Sequence, residues 1–208
     1  EMIEAAHDNR LKAFYVMGED LVYNMPDSAY VKTALSKLDF LVVHDIFMTE
    51  TAQLANVVIP SLSWAEKEGS YTNLERKMQL VRKAVEGKGM EGWRAVSEIS
   101  KLLGFDMDYK NSGDIMAEIA KVSPLHKDIT YEDMTGECMW PYKGEPLRHG
   151  MSLEGIEMHD KGSLLKKPEK DRIHIGIDKP LFHFDNLSRN SAALSSIAPE
   201  PYMNIGKA

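Results

Sequence analysis

Three short apolar runs, each followed at once by a polar or turn-forming residue, restrict what this chain can fold into. They cover residues 13–17, 40–43 and 57–59, and they precede Gly18, His44 and Pro60. Runs of this length, rich in β-branched residues and apolar on both faces, are typical of parallel strands covered by helices. Between the first two runs, Asp27 or Ser28 precedes an apolar stripe with helical spacing. The sequence therefore predicts a βαβ unit in an α/β fold.

Composition and charge exclude several classes of function. The 208 residues carry a formal net charge of −7 and show no dense basic stripe, which argues against binding to nucleic acid. No apolar run approaches the roughly 20 residues that cross a bilayer, and the first residues lack the basic flank of a secretory signal. We therefore expect a cytoplasmic or peripheral protein without direct membrane insertion.

The cysteine and histidine content limits the metal and redox chemistry. A single cysteine, Cys138, excludes an internal disulfide, a four-cysteine iron–sulfur cluster and a cysteine-rich zinc site. Its neighbours in sequence include no histidine or lysine that would lower its pKa, so we expect a buried or inert thiol. The seven histidines include no pair at the i, i+4 spacing of a zinc helix. We predict no metal ligand in this chain, and any redox centre would come from elsewhere.

Two further helices and a change of composition suggest how the chain is organised. The apolar residues Trp93, Val96, Ile99 and Leu102 form a helical stripe that ends before Gly104, and a second helix follows the cap sequence 111–112. After residue 125 the chain becomes rich in Gly, Pro, Lys and His, until strand-like alternation returns at 172–177 and again at 202–205. We predict an α/β lobe over 1–124, an irregular connector over 125–171 and a further domain beginning at 172. Both ends look truncated, which predicts a fragment.

The predicted sheet places polar residues where parallel sheets bind ligands, beyond the carboxyl ends of the strands. These candidates are Gly18, Glu19 and Asp20 after the first strand, and His44, Asp45 and Thr49 after the second. Gly18 would let a ligand approach the backbone, and Asp45 would accept the paired N1–H and N2–H donors of guanine. The hydroxyl of Thr49 would donate a further hydrogen bond. Alternatively, Asp45 and Thr49 only cap a helix that begins at Glu50, and Gly18 only makes a tight turn.

The polar stretch 64–73 also allows two interpretations. It could wrap around a cofactor, or it could be a solvated surface loop with Trp64 packed beneath it. Spacing alone does not choose between them.

Several segments of the chain together match the pattern of a known family. They are residues 15–20, 38–52, 55–60 and 64–76, and the match continues into the Trp93 helix and Gly104. These segments resemble the molybdopterin oxidoreductase family, and within it the catalytic subunits of formate dehydrogenases. Residues 129–132 and 140–141 are similar to the connector of that family. Residues 181–184 and 188–194 resemble the opening of its C-terminal pterin-dinucleotide-binding β-barrel domain.

The resemblance implies a Rossmann-like parallel sheet with helices on both faces, a connector, and the start of the β-barrel domain at 172–208. It implies that the chain is a fragment of a larger subunit, in which two molybdopterin guanine dinucleotides hold molybdenum or tungsten. The metal ligand, a cysteine or selenocysteine, and an iron–sulfur cluster would lie elsewhere in that subunit. The intact enzyme would oxidise formate to carbon dioxide in a two-electron reaction. Its partners would be electron-transfer subunits, and any association with membranes would come through partner subunits. The isolated fragment would be inactive.

The resemblance also assigns roles to residues of this chain. It implies that none of them is catalytic and that a set of them binds the cofactor: Gly18, Glu19, Asp20, His44, Asp45, Thr49, Ser188 and Arg189. The chain departs from the family pattern at Leu21, where a proline is common, at His44, where a glutamine is common, and in the barrel opening. An alternative is therefore the related large subunit of respiratory complex I, acting as a structural component with little or no cofactor. A weaker alternative is a free-standing nucleotide-binding module.

Overall fold

The computed structural model describes residues 1–142 and 186–197. The chain divides into two compact units, Glu1–Gly150 and Met151–Ala208, which we describe separately. No helix within the two described ranges is both long and apolar enough to cross a bilayer.

The first unit contains the predicted parallel sheet, with the central strand flanked on both sides. Its strands are β1 (Ala13–Met17), β2 (Phe40–Asp45) and β3 (Val57–Pro60), in the order β1-β2-β3. Both pairings are parallel, and Val43 lies opposite Val16 on one side and Val58 on the other. All three strands predicted from the apolar runs are confirmed.

Helices connect and follow the strands. They are α1 (Met2–His7), α2 (Leu21–Asn24), α3 (Ser28–Leu35), α4 (Gly92–Leu102) and α5 (Ser112–Val122). The side chain of Asp27 accepts a hydrogen bond from the Tyr30 amide at 3.1 Å and caps α3, while Asn111 caps α5 by accepting from the Asp114 amide. Gly104, just beyond α4, has a φ of +86°, which glycine adopts without strain. The predicted caps and helix end are therefore confirmed.

One face of the sheet forms the main hydrophobic core. Leu41 and Val43 of β2 are fully buried and pack with apolar residues of α1 and α3, among them Ala6 and Val31. On the opposite face, the ring of His44 is covered by the segment around Met90, whose carbonyl oxygen contacts it. Because both faces of β2 are covered, its sequence lacks the polar alternation of a half-exposed strand.

The stretch interpreted as a loop over 64–73 contains a strand of a hairpin. Strands β4 (Gly69–Thr72) and β5 (Met78–Val81) pair antiparallel, with Tyr71 opposite Gln79. Trp64 is 60% exposed, so the idea that it packs beneath this stretch is wrong. The apolar support comes instead from Met78, which lies in a second core cluster with residues of α5 and of the chain that follows it.

The second cluster extends into the segment predicted to be an irregular connector. Two short 3₁₀ helices, Pro124–His126 and Asp133–Thr135, lie there, and Ile129 is almost fully buried. Cys138 is buried in the same cluster, as predicted, and this burial raises the pKa of its thiol.

The second unit is described only over residues 186–197, which form α6 (Asn186–Arg189) and α7 (Ala192–Ile197). The strands predicted at 172–177 and 202–205 lie outside the described residues. The β-barrel assignment and the predicted domain boundaries therefore remain predictions.

Helix α4 leaves most of its predicted apolar stripe exposed. Val96 and Ile99 are exposed and Leu102 is 88% exposed, whereas Ser97 and Ser100 are buried. The serine hydroxyls donate to backbone oxygens nearby, Ser97 to Trp93 and Ser100 to Phe105, so their burial leaves no unpaired hydroxyl. The helix itself is confirmed, but its hydrophobic side does not face the core.

Gly89 lies in close contact with the end of β3, where the Met90 amide donates to the Pro60 carbonyl oxygen at 2.8 Å. A Cβ atom at residue 89 would lie 2.2 Å from the carbonyl oxygen of Ser61. We therefore expect Gly89→Ala to lower the free energy of unfolding by about 2 kcal/mol, measured by urea denaturation.

Gly136→Ala is the matched control for this prediction. A Cβ at residue 136 would meet no atom within 4 Å, and its φ of −112° is open to any residue. We expect a change of at most about 0.5 kcal/mol. Equal losses in the two variants would contradict the close approach at Gly89.

Candidate functional site

The loops that follow the three strands start side by side at the carboxyl edge of the sheet. The Gly18 amide donates to the carbonyl oxygen of His44, and the Ser61 amide donates to that of Asp45, both at 2.9 Å. These bonds continue the ladder one residue beyond β1 and β3. The first loop residues are therefore held in a fixed order along this edge.

Gly18 leaves open space at the edge. Its φ is +64°, and a Cβ built on it would meet no atom within 4 Å. The neighbouring side chain of Glu19 is exposed and accepts a hydrogen bond from the Asn24 amide group. The backbone at Gly18 is thus accessible to a ligand, although its amide hydrogen is already used.

Asp45 ends the central strand with one carboxylate oxygen available. The residue is 7% exposed, and its Oδ1 accepts a hydrogen bond from the Phe47 amide at 3.1 Å. Within the described residues, Oδ2 has no hydrogen-bond partner. The described part of the chain does not enclose this oxygen, which is therefore suited to accept from donor groups of a ligand.

Asp20, in contrast, turns inward and joins two loops. It is almost fully buried, and its Oδ1 accepts from the Thr51 amide at 3.2 Å and from the Thr51 hydroxyl at 2.7 Å. The same hydroxyl oxygen accepts from the Val22 amide at 3.0 Å. Sequence reasoning missed Thr51, because nothing in its local sequence distinguishes it from a surface threonine.

His44 is also turned inward, and both of its ring nitrogens are used. Its Nε2 lies 2.9 Å from the carbonyl oxygen of Met90, and its Nδ1 lies 3.0 Å from the hydroxyl oxygen of Tyr15. A carbonyl oxygen can only accept, so we assign the hydrogen to Nε2 and let the Tyr15 hydroxyl donate to Nδ1. Burial raises the pKa of Tyr15, which keeps its hydroxyl a donor. His44 therefore positions the edge and has no nitrogen free for a ligand.

Thr49 acts as a cap. Its hydroxyl oxygen accepts from the Ala52 amide at 3.1 Å, as in the alternative interpretation of this residue. The predicted helix beginning at Glu50 is wrong in its extent, because the segment forms only a 3₁₀ helix, Ala52–Leu54. The residue is buried, and the cap hydrogen bond uses its oxygen as an acceptor while leaving its hydroxyl hydrogen available.

Apolar side chains lie beside Asp45 in the loop that follows it. Ile46 is exposed and Met48 is 65% exposed. The Met17 side chain at the end of β1 is also exposed, but less than that of Met48. A base whose edge met Asp45 would find apolar surface for its faces here.

Ser188 and Arg189 lie in α6 of the second unit. Ser188 is buried and Arg189 is exposed, and both already interact with other residues. In the described parts of the chain, no cluster of three or more histidine, cysteine, aspartate or glutamate side chains is arranged to hold a metal ion.

Comparison with known proteins identifies the family. The family model for molybdopterin oxidoreductases matches residues 1–102, which include the whole parallel sheet and α4. The chain belongs to the molybdopterin oxidoreductase family.

Curated members of this family extend the match over the rest of the chain. The chain is 44% identical over 146 residues, or 68% of its length, to the F420-dependent formate dehydrogenase subunit alpha of Methanocaldococcus jannaschii. Over 99% of its length it is 35% identical to the probable oxidoreductase YjgC of Bacillus subtilis and 32% identical to a putative formate dehydrogenase of Staphylococcus aureus. In each case it spans 22% of the relative's length.

A solved structure supports the fold. The acetylene hydratase of Pelobacter acetylenicus superposes with a TM-score of 0.52 over 65% of this chain and 18% of its own, at 20% sequence identity. At that identity the likeness concerns the arrangement of strands and helices. The α/β architecture predicted from the sequence is thus shared with this larger protein.

Proposed function

We propose that this chain forms part of the site for a molybdopterin guanine dinucleotide in a formate dehydrogenase-like oxidoreductase. The single observation that carries the proposal is the carboxylate of Asp45, with Oδ2 unpartnered among the described residues beside open space at Gly18. The names of the relatives support formate dehydrogenase as the class of enzyme.

The donor pattern of guanine suits Asp45. Guanine presents N1–H and N2–H side by side, whereas adenine presents an acceptor at N1, so a carboxylate favours guanine. Oδ1 already accepts a hydrogen bond from the Phe47 amide, so Oδ2 would form the stronger hydrogen bond to the base. The exposed side chains of Ile46 and Met48 would contact the base faces. These features fit the purine end of the cofactor.

The remaining candidates take supporting or secondary roles in this proposal. Asp20 holds the loops in place through its hydrogen bond with Thr51. His44 does the same through its hydrogen bond with Met90. Glu19 would line the opening, and the Thr49 hydroxyl hydrogen would be directed to the nucleotide. The cofactor-binding roles of Ser188 and Arg189, which lie in the second unit, stay predictions.

When bound, the cofactor supplies the two-electron chemistry, with molybdenum or tungsten held by groups outside this chain. Residues of this chain bind and orient it. The remainder of the subunit, an iron–sulfur cluster within it and separate electron-transfer subunits would complete the enzyme, and we propose that this chain alone has no turnover.

The substitution Asp45→Asn in the full-length enzyme tests the proposal. Asparagine keeps the Oδ1 acceptor for the Phe47 amide and replaces Oδ2 by an NH₂ group, which opposes the donors of guanine. We expect about a tenfold weaker retention of the cofactor. The measurement is the guanine nucleotide released by acid hydrolysis of the purified enzyme, per mole of protein, together with metal content.

Asp39→Asn provides the control, because Asp39 is exposed at the opposite end of β2. Its cofactor content should match that of the unsubstituted enzyme. Full guanine content in a folded Asp45→Asn enzyme would show that Asp45 does not bind the base. Absence of any pterin nucleotide from the unsubstituted enzyme would refute the proposed function altogether.

A further inference from the structure

The first unit also contains a cavity that lies beside residues 87–94 and is not lined by Gly18 or Asp45. Its volume is about 390 Å³, within the usual range for small-molecule sites. Its lining comes from the segment after β3, from the chain before α4, and from the first residues of α4 and α5.

Two polar atoms of the lining are buried without a hydrogen-bond partner among the described residues. They are Nε1 of Trp93 and Oγ of Ser112. The indole N–H can only donate, and a serine hydroxyl can donate as well as accept. Buried polar groups in folded proteins are nearly always paired, so two such atoms at one cavity indicate an acceptor atom that is supplied from outside the chain.

The two helices that begin at this cavity add further donors and positive charge. Helix α4 starts at Gly92, and its N-cap residue, Glu91, makes no side-chain cap hydrogen bond, so the first amide groups lack a cap. Arg94 and Lys110 also line the cavity, and neither forms an ion pair within the described residues. The guanidinium of Arg94 lies over the Trp93 ring, 5.3 Å from its centre.

The cavity also contains acidic side chains, which bear on what it can hold. Glu66 is held by a hydrogen bond from the Ser63 amide at 2.8 Å, and Lys83 is paired with Glu86 outside the lining. Glu68 and Glu91 complete the charged lining. The ligand would therefore present an oxyanion to the donors, and hydroxyl or amino groups elsewhere on it would suit the carboxylates.

We propose that this cavity binds a small molecule through an oxyanion, a carboxylate or phosphate group. The oxyanion accepts from Trp93 Nε1–H and the Ser112 hydroxyl and is balanced by Arg94 and Lys110. The proposal does not depend on the function proposed for Asp45, because neither Asp45 nor Gly18 lines the cavity.

The test follows the indole N–H resonance of Trp93 in the intact protein, labelled with ¹⁵N at tryptophan, during titration with inorganic phosphate or with acetate. The ionic strength is kept constant. We expect a saturable downfield shift of this resonance, with Trp64, which is exposed and outside the cavity, unmoved. A response to phosphate alone or to acetate alone identifies which oxyanion the site prefers.

Two variants and one control make the result specific. Ser112→Ala and Lys110→Gln should each weaken the binding about tenfold, since each removes a donor to the charged group. Ser36→Ala should bind as the parent does, because Ser36 lies at the end of α3 and its hydroxyl donates to the Lys32 carbonyl oxygen. A stationary Trp93 resonance, or an equal shift in the parent and in both variants, would overturn the proposal.

Discussion

Thr51→Val should lower the free energy of unfolding by about 3 kcal/mol, although the two side chains have nearly the same shape. The Thr51 hydroxyl donates to the buried carboxylate of Asp20 and accepts from the amide of Val22. Valine removes both interactions and leaves a buried carboxylate with only the Thr51 amide as a donor. The loss is large because a charged group in the interior depends on its hydrogen bonds.

Urea denaturation followed by circular dichroism measures this change, with Thr33→Val as the control. Thr33 is exposed on α3, and its hydroxyl donates only to the carbonyl oxygen of Ala29 in the same helix. We expect the control to differ from the parent by less than about 0.5 kcal/mol. Similar stabilities of the two variants would mean that the connection between Asp20 and Thr51 contributes little.

The second large effect is expected at His44. Its substitution by leucine leaves the Tyr15 hydroxyl and the Met90 carbonyl oxygen, both at partly buried positions, without the partner that the fully buried imidazole provides. We expect His44→Leu to lower the free energy of unfolding by about 3 kcal/mol.

His44→Gln separates the hydrogen bonds from simple packing. A glutamine amide offers an oxygen that can accept from Tyr15 and an NH₂ group that can donate to Met90. Glutamine is also the residue that the resemblance to other family members suggests for this position. The glutamine variant should therefore lose less than half as much stability as the leucine variant. If both lose the same amount, the two hydrogen bonds do not account for the effect.

The strands and helix caps could be predicted because the signals that specify them are local. The three apolar runs end at residues 17, 43 and 59, and the strands of the structure end within two residues of these positions. Asp27 and Asn111 precede helical stripes and cap them through their own side chains. A cap interacts with residues two or three positions away, so a short window of sequence contains the whole interaction.

The direction of the site side chains could not be predicted, because their partners are far away in the sequence. Asp20 and His44 follow or end their strands as Asp45 does, yet both turn inward. Asp20 meets Thr51, 31 residues away, and His44 meets Met90, 46 residues away. Only the packed fold brings these groups together. The site residues predicted from the sequence therefore include Asp45, which has an available oxygen, as well as Asp20 and His44, which hold the loops.

The hairpin of β4 and β5 was missed for a different reason. Its turn contains no glycine, and the left-handed position is taken by Arg76, with a φ of +66°. Asn73 supports the turn by accepting from the Lys77 amide at 2.9 Å. Since non-glycine residues seldom adopt this conformation, the sequence carries none of the usual hairpin signals.

The exposed leucines at the end of helix α4 bear on how this chain behaves at high concentration. Leu102 and Leu103 project from its end with most of their surface in water, so they add almost nothing to folding stability. Exchanging them for lysine or glutamate should lower self-association of this chain when it is concentrated by itself, with the packing described above unchanged.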